Sequence, residues 1–245
     1  MAAVTGHSGW RAVWQAKGEQ PPPLTGDHDQ VVRGLMALAG YDSATSSLDP
    51  ETHYVQVRYI LDRLGVRPTD TVYEVGCGAG SMLHSLRPAC AGVGGCDFAD
   101  SLVALAREVL GGADLTVAEA SAVPTEPVYD LVISNGVFIY FPDQQYAERV
   151  LRRMVAKARR AVAVLDVNDA ARQAEFEAVR QARQGPRQGR YADLTQLYLE
   201  RDFFGQVAGR LGLQCRIEES VMTNSANGGY RFNALLFRPD ERERS

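Results

Sequence analysis

Residues 72–80 read Val72-Tyr73-Glu74-Val75-Gly76-Cys77-Gly78-Ala79-Gly80. An apolar run that ends in an acidic residue and three alternating glycines is the pattern of a buried strand turning sharply into a helix. Glycine is needed where backbone bends tightly or approaches a ligand with no Cβ in the way. A dinucleotide site reads GxGxxG and seats a pyrophosphate on the helix N-terminus. Here the spacing is GxGxG, and Glu74 stands two residues ahead of the first glycine. A carboxylate there repels a pyrophosphate and suits a ligand with a cationic amino group. A glycine turn that holds no ligand is the third reading of the same residues.

On both sides of this turn, helices and strands alternate. Pro50 to Leu64 reads as a helix, with Asp49 as N-cap, Pro50 at the first position and Gly65 closing it. Strands are expected at Thr71–Val75, Gly92–Cys96, Leu115–Ala118, Leu131–Ser134 and Ala161–Val167. Helices are expected at Ser81–Leu86, Ser101–Leu110 (capped by Asp100), Asp143–Arg159, Ala170–Arg183 and Arg201–Leu211. Two closing strands lie near Cys215–Ser220 and Arg231–Phe237, and a loose stretch near Gln184–Ala192. Nearly continuous apolar strands between helices imply a parallel sheet covered on both faces. No linker divides the chain, so 49–245 reads as one domain and 1–48 as an extension. In that extension Trp10, Val13 and Trp14 share helical spacing, and Pro21-Pro22-Pro23 ends the helix.

The chain has 245 residues, 45% hydrophobic and 23% charged, with a net charge of -4. This is globular composition, and it argues against a nucleic-acid binder that works by bulk charge. Of 26 basic residues only Lys17 and Lys157 are lysine, which reads as codon bias of a GC-rich genome. No run reaches the roughly 20 apolar residues of a membrane span, and no apolar leader opens the chain. Cys77, Cys90, Cys96 and Cys215 form no CxxC pair. No metal site is therefore expected, and a reducing, cytoplasmic setting is.

Glu74 to Gly80 resembles motif I of the class I S-adenosylmethionine-dependent methyltransferases. S-adenosylmethionine has the ammonium and lacks the phosphate, so it is favoured over NAD. Asp97 follows Gly76 by 21 residues, where a carboxylate accepts from both ribose hydroxyls. Phe98 resembles the apolar neighbour of the adenine. Glu119-Ala120-Ser121-Ala122-Val123-Pro124 is similar to the segment that reads the adenine edge, with Glu in place of the commoner Asp. Ser134-Asn135-Gly136-Val137-Phe138 resembles motif IV, beside the methionine amino group. The resemblance implies a Rossmann-like, doubly wound α/β fold. Its seven-stranded, mostly parallel sheet has an antiparallel closing strand, and here an N-terminal helical extension. It implies a cofactor set of Glu74, Gly76, Gly78, Gly80, Asp97, Phe98, Glu119, Ala120 and Asn135. Leu197 to Phe204, Tyr230 to Leu236 and Trp10 to Gly18 are similar to segments of a bacterial small-molecule subgroup, often in secondary metabolism.

Ligands of such sheets bind beyond the carboxyl ends of the strands. Tyr41, Phe138, Tyr140, Asn168 and Tyr230 are therefore expected to face a small-molecule acceptor. Asp166, Asp169, His53 and His84 are the candidates for a base. The function implied is methyl transfer to an O or N atom. A methyltransferase-fold enzyme that catalyses cyclisation or elimination, and a non-catalytic partner subunit, stay open. Residues 1–48 read as a lid over the acceptor, or as the contact of a homodimer or partner chain, that leaves cofactor affinity largely unaffected.

Overall fold

The computed structural model describes residues 6–41, 48–184, 194–222 and 227–239. Most of the loose stretch at 184–192 lies outside the described residues. Seven strands form one sheet: β1 (Thr71–Val75), β2 (Gly92–Asp97), β3 (Asp114–Val117), β4 (Tyr129–Asn135), β5 (Ala158–Asn168), β6 (Gln214–Glu219) and β7 (Arg231–Phe237). Their order is β3-β2-β1-β4-β5-β7-β6. The pairs from β3 to β5 are parallel, and β7 is antiparallel to both neighbours. The sequence expectation of a doubly wound sheet with an antiparallel closing strand is borne out.

The chain leaves β1 for β2 on one side and reaches β4 on the other, so the order reverses between β1 and β4. The crevice at their carboxyl ends is where such folds bind ligands. The apolar alternation of the strands decides what covers each face. Val72, Leu131, Ile133 and Ala163 pack with helix α3 (Pro50–Leu64) and helix α4 (Ser81–Leu86). Tyr73, Val75, Val132 and Val164 pack on the opposite face, against α6 (Gln144–Lys157) and α8 (Arg201–Arg210). Helix α5 (Asp100–Leu110) joins α4 over β2 and β3 through Val103, Ala106 and Leu110.

Helix ends follow the local signals. Asp49 caps α3 through the Glu51 amide and Gly65 ends it at φ +54°. Asp143 caps α6 through the Tyr146 amide. The expected cap at Asp100 is corrected: Asp100 is the first residue of α5, and Ala99 holds the cap position without a side-chain bond. Strands β4 and β5 run longer than the apolar runs, because polar flanking residues find tertiary partners. Arg160, for example, pairs with Asp70 and bonds the carbonyls of Leu64 and Gly65.

The extension contains α1 (Gly6–Glu19) and a second helix, α2 (His28–Met36), absent from the sequence reading. A capping box starts α2, with Asp27 bonding the Gln30 amide and the Gln30 side chain bonding back. The spacing Asp27–Gln30 is the signal that finds it. A π-helical turn at Ala37–Tyr41 follows, with Gly40 at φ +89°. Chain 173–184 forms α7 (Gln173–Gln184).

Gly80 takes φ +86° at the start of α4, and a Cβ there would lie 2.8 Å from Leu110 Cδ1. Leu110 is fully buried and has no room to yield. Gly80→Ala should therefore cost about 1–3 kcal/mol, read as a lower denaturation midpoint at unchanged m-value. An unchanged midpoint would refute this account of the α4–α5 contact.

Candidate functional site

The glycine turn is built to bring backbone to the crevice. Gly76 and Cys77 both donate to the Cys96 carbonyl, at 2.8 and 2.9 Å, tying the loop to β2. Gly76, Gly78 and Gly80 all have positive φ. Their reasons differ. A Cβ on Gly76 would strike Val137, 2.4 Å away, and one on Gly80 would strike Leu110. A Cβ on Gly78 would meet nothing nearer than Leu102 Cδ1 at 3.9 Å. Gly78 thus has room beside it, whereas the glycine at position 80 is required by its packing against Leu110.

Two carboxylates stand behind this loop. Asp97 accepts the Gly78 and Ala99 amides, each at 2.9 Å and each on its own oxygen. Every carboxylate oxygen has a second lone pair, so two hydroxyls can still be held. Glu74 is 3% exposed and its Oε2 has no hydrogen-bond partner. Burial, with the charge of Asp97 adding to it, raises its pKa to about 8. An orphaned buried carboxyl of this kind has room for a hydrogen-bond donor or a cation. Gln56, on α3, reaches the end of β4: its amide donates to Asn135 Oδ1 at 2.8 Å, and its buried Oε1 is unpartnered. The sequence reading passed over Gln56, a polar residue on an otherwise apolar helix face. Cys77 and Cys96 are no nucleophiles, since burial raises the first thiol well above its ordinary value and the second to about 11.

Phe98, Glu119 and Ala120 follow β2 and β3 at the far side of the crevice, where the sequence placed the adenine. Glu119 pairs with Arg11 of α1 and accepts from Tyr146 Oη at 3.3 Å. The Arg11 guanidinium also lies over the Phe98 ring, 5.2 Å from its centroid. Helix α1 thus touches the two residues that the sequence resemblance assigns to the adenine.

Between β4, β5 and β7 a second polar group assembles. Asp166 lies within β5, at the register shift between Val164 and Val167, and takes φ +60°, in the left-handed region that non-glycine residues rarely adopt. Its carboxylate pairs with Arg231 Nη1 and accepts from Ser220 Oγ at 3.2 Å. Arg231 Nε donates to Asn168 Oδ1 at 3.1 Å. Burial opposes the charge on Arg231, but Asp166 together with Tyr140 and Tyr41 outweighs it, so the pKa is raised. The Tyr41 hydroxyl bonds the Asn135 side chain, and burial, with Asp166 beside it, lifts that phenol well above its ordinary range. Tyr140 packs at a tilt against Trp10 and edge-on against Trp14, with ring centroids 4.7 and 5.3 Å apart. Arg231 was not singled out from the sequence, where it is one of many arginines.

Other expected site residues serve the fold. Phe138 is 1% exposed and packs on Phe141 and Phe204, in the core rather than the pocket. Asp169 caps the turn at Ala171 and pairs with Arg201. Asn168 is fully buried, bonding Gln196, Leu197 and Arg231, so it orients Arg231 instead of meeting an acceptor. Tyr230 packs on Phe176, beneath Arg172. His53 and His84 lie in the helix layer. His53 Nε2 is 2.9 Å from Ser85 Oγ and His84 stacks on His28. Burial lowers both pKa values, to about 4 for His53. Among the described residues no cluster could hold a metal, and no helix is long and apolar enough to cross a membrane.

The methyltransferase domain family matches residues 73–161. Residues 73–161 thus match a methyltransferase domain, on a fold shared with solved methyltransferases. The family resemblance read from the sequence is thereby borne out, and the cofactor of that family is S-adenosylmethionine. Over 89 residues the chain is 34% identical to trans-aconitate 2-methyltransferase of Rhizobium rhizogenes, covering 35% of this chain and 34% of that protein. The chain thus matches about a third of the length of that curated relative. Magnesium protoporphyrin IX methyltransferase from Synechocystis, solved with S-adenosylmethionine, has the same fold (TM-score 0.60, 16% identity, 98% of this chain and 100% of that one). So does an amino pentose methyltransferase of Micromonospora echinaspora involved in calicheamicin biosynthesis (TM-score 0.60, 15% identity, 90% and 100%).

The raised pKa of Glu74 has a consequence for stability. Between the ordinary value of 4.5 and about 8, the folded chain holds a proton that the unfolded chain has released. Stability from this group is complete at low pH and is lost as pH rises through 8. His53, with its lowered pKa, acts in the opposite sense only below 6.5. From pH 6.5 to 8 the ligand-free protein should lose stability, by at most about 1.4 kcal/mol per pH unit from Glu74. Glu74→Gln should flatten that slope in denaturant titrations; the same slope in the variant would assign the proton elsewhere.

Proposed function

We propose that the protein transfers the methyl group of S-adenosylmethionine to an O or N atom of a small molecule, in bacterial secondary metabolism. The observation that carries the reading is the unpartnered, buried carboxyl of Glu74 at the switch point of the sheet, beside the open backbone of Gly78. A dinucleotide has no ammonium to donate to that group, and its pyrophosphate would be repelled by it. The bacterial origin of the aligned trans-aconitate enzyme and the calicheamicin role of one fold neighbour support the metabolic setting.

Bound S-adenosylmethionine supplies a methyl group already activated on a sulfonium, so positioning accounts for much of the rate. Glu74 and Gln56 hold the amino group, Asp97 takes the ribose hydroxyls, and Phe98 with Glu119 and Ala120 borders the adenine. Asn135 orients Gln56 and Tyr41. Asp166, held by Arg231 and Ser220, is the carboxylate positioned to accept a proton from the acceptor. Tyr140 with Trp10 and Trp14 shields that end from water.

Acceptors are sought by incubating the protein with S-adenosylmethionine and a panel of small carboxylic acids, amino sugars and phenols, reading the mass gain of one methyl group. On an acceptor found this way, Asp166→Asn should lower kcat about 10²–10⁴-fold and leave S-adenosylhomocysteine affinity intact. Binding of cofactor with no methylated product from the panel would favour a fold that does other chemistry.

Cofactor binding has its own signature. At pH 7 free Glu74 is largely protonated, and contact with an ammonium should expel that proton. Titration calorimetry with S-adenosylhomocysteine in two buffers of different ionisation enthalpy should show release approaching one proton. Glu74→Gln should abolish the release. Gln56→Leu should weaken S-adenosylhomocysteine by about 10- to 100-fold, the scale of a hydrogen bond to a charged group. Neither change should affect 5′-methylthioadenosine, which lacks the amino acid. Equal losses for both ligands would remove Glu74 and Gln56 from the amino-acid end.

A further inference from the structure

We infer that Arg11, on the N-terminal helix, is a cofactor-contacting residue whose guanidinium closes over the adenine ring. The inference rests on the cofactor reading above and adds to it a group from outside the motif-bearing core.

Helix α1 is seated firmly enough to hold a side chain in place. Gly18 abuts Ser101 of α5 so closely that a Cβ would lie 2.4 Å from Ser101 Oγ. Ser101 Oγ donates to the Gln15 carbonyl at 2.8 Å, and the Gln15 amide bonds Asp100. At the other end, Trp10 Nε1 donates to the Thr195 carbonyl at 2.8 Å, and both tryptophans rest on Tyr140. Between these anchors Arg11 projects to the two residues that mark the adenine site, pairing with Glu119 and covering the Phe98 ring. The side chain is half-exposed, so the fold does not need it for packing.

A planar guanidinium above an aromatic face is a stacking partner for a second flat, electron-rich ring. With adenine against Phe98, Arg11 meets its outer face and Glu119 is released to accept from the exocyclic amine. The ion pair given up is partly solvent-exposed and contributes little to stability. A desolvated stack over adenine exceeds it, so closure is favoured once the cofactor is in.

The chain's only two tryptophans are Trp10 and Trp14, so intrinsic fluorescence reports the seating of α1 directly. Titration calorimetry is performed on the whole chain with S-adenosylhomocysteine and with 5′-methylthioadenosine. Arg11→Ala should weaken both ligands alike, by about tenfold, with the tryptophan emission of the free protein unchanged. Arg11→Lys, which has charge without the plane, should recover only part of the loss. Ser101→Ala, which loosens α1 away from the ligand, should shift the emission more than it weakens binding. Unchanged or tighter binding by Arg11→Ala would overturn the proposal. So would a loss confined to S-adenosylhomocysteine, or one accompanied by the emission change of an unseated helix. If the unaltered protein binds neither ligand, the cofactor reading falls with it; if it binds both and Arg11→Ala matches it, only the role of Arg11 falls.

Discussion

Between β1 and α4 the backbone turns through three left-handed residues while both ends are held in buried elements. Gly76 has no room for a Cβ beside Val137, and Gly80 has none beside Leu110. The amides of Gly76 and Cys77 meet on one carbonyl of β2. This turn sets where α4 begins, how close α5 comes, and where Asp97 meets the Gly78 amide. The crevice, its two carboxylates and its bare stretch of backbone all depend on it.

The crevice concentrates charge that folding alone does not reward. A buried carboxyl without a partner costs free energy, and a buried ion pair is weak support for stability. Glu74 answers by holding a proton up to about pH 8. Asp166 and Arg231 answer by pairing, at the expense of a left-handed backbone at Asp166. Such conflicts between local rules and the fold cluster where ligands are handled. The same reasoning separates Asp169 from Asp166. Asp169 has a cap and an arginine that account for it fully, whereas Asp166 pairs inside the crevice.

The N-terminal helix links the two halves of the site. Arg11 reaches Phe98 and Glu119, while one turn of the same helix presents Trp10 and Trp14 to Tyr140. A rigid helix that touches both ends couples them physically, because neither contact can shift without moving the other.

Much was determined by local sequence. The cap at Asp49, the stop at Gly65, the strand Thr71–Val75 and the glycine turn depend on neighbours a few residues away, and they stand where the sequence puts them. Seven strands with intervening helices follow from apolar runs, and the spacing from Gly76 to Asp97 follows from the length of one strand-helix-strand unit. The tertiary structure decided the rest. Phe138 reads as a pocket residue until the Phe141 and Phe204 rings close on it. Asn168 reads as an acceptor contact until Arg231, 63 residues away, claims its oxygen. Gln56, Arg231 and Arg11 carry no motif. Their partners are Asn135, Asp166 and Glu119, on other elements of the fold, and long-range contacts leave no mark in the spacing of residues along the chain.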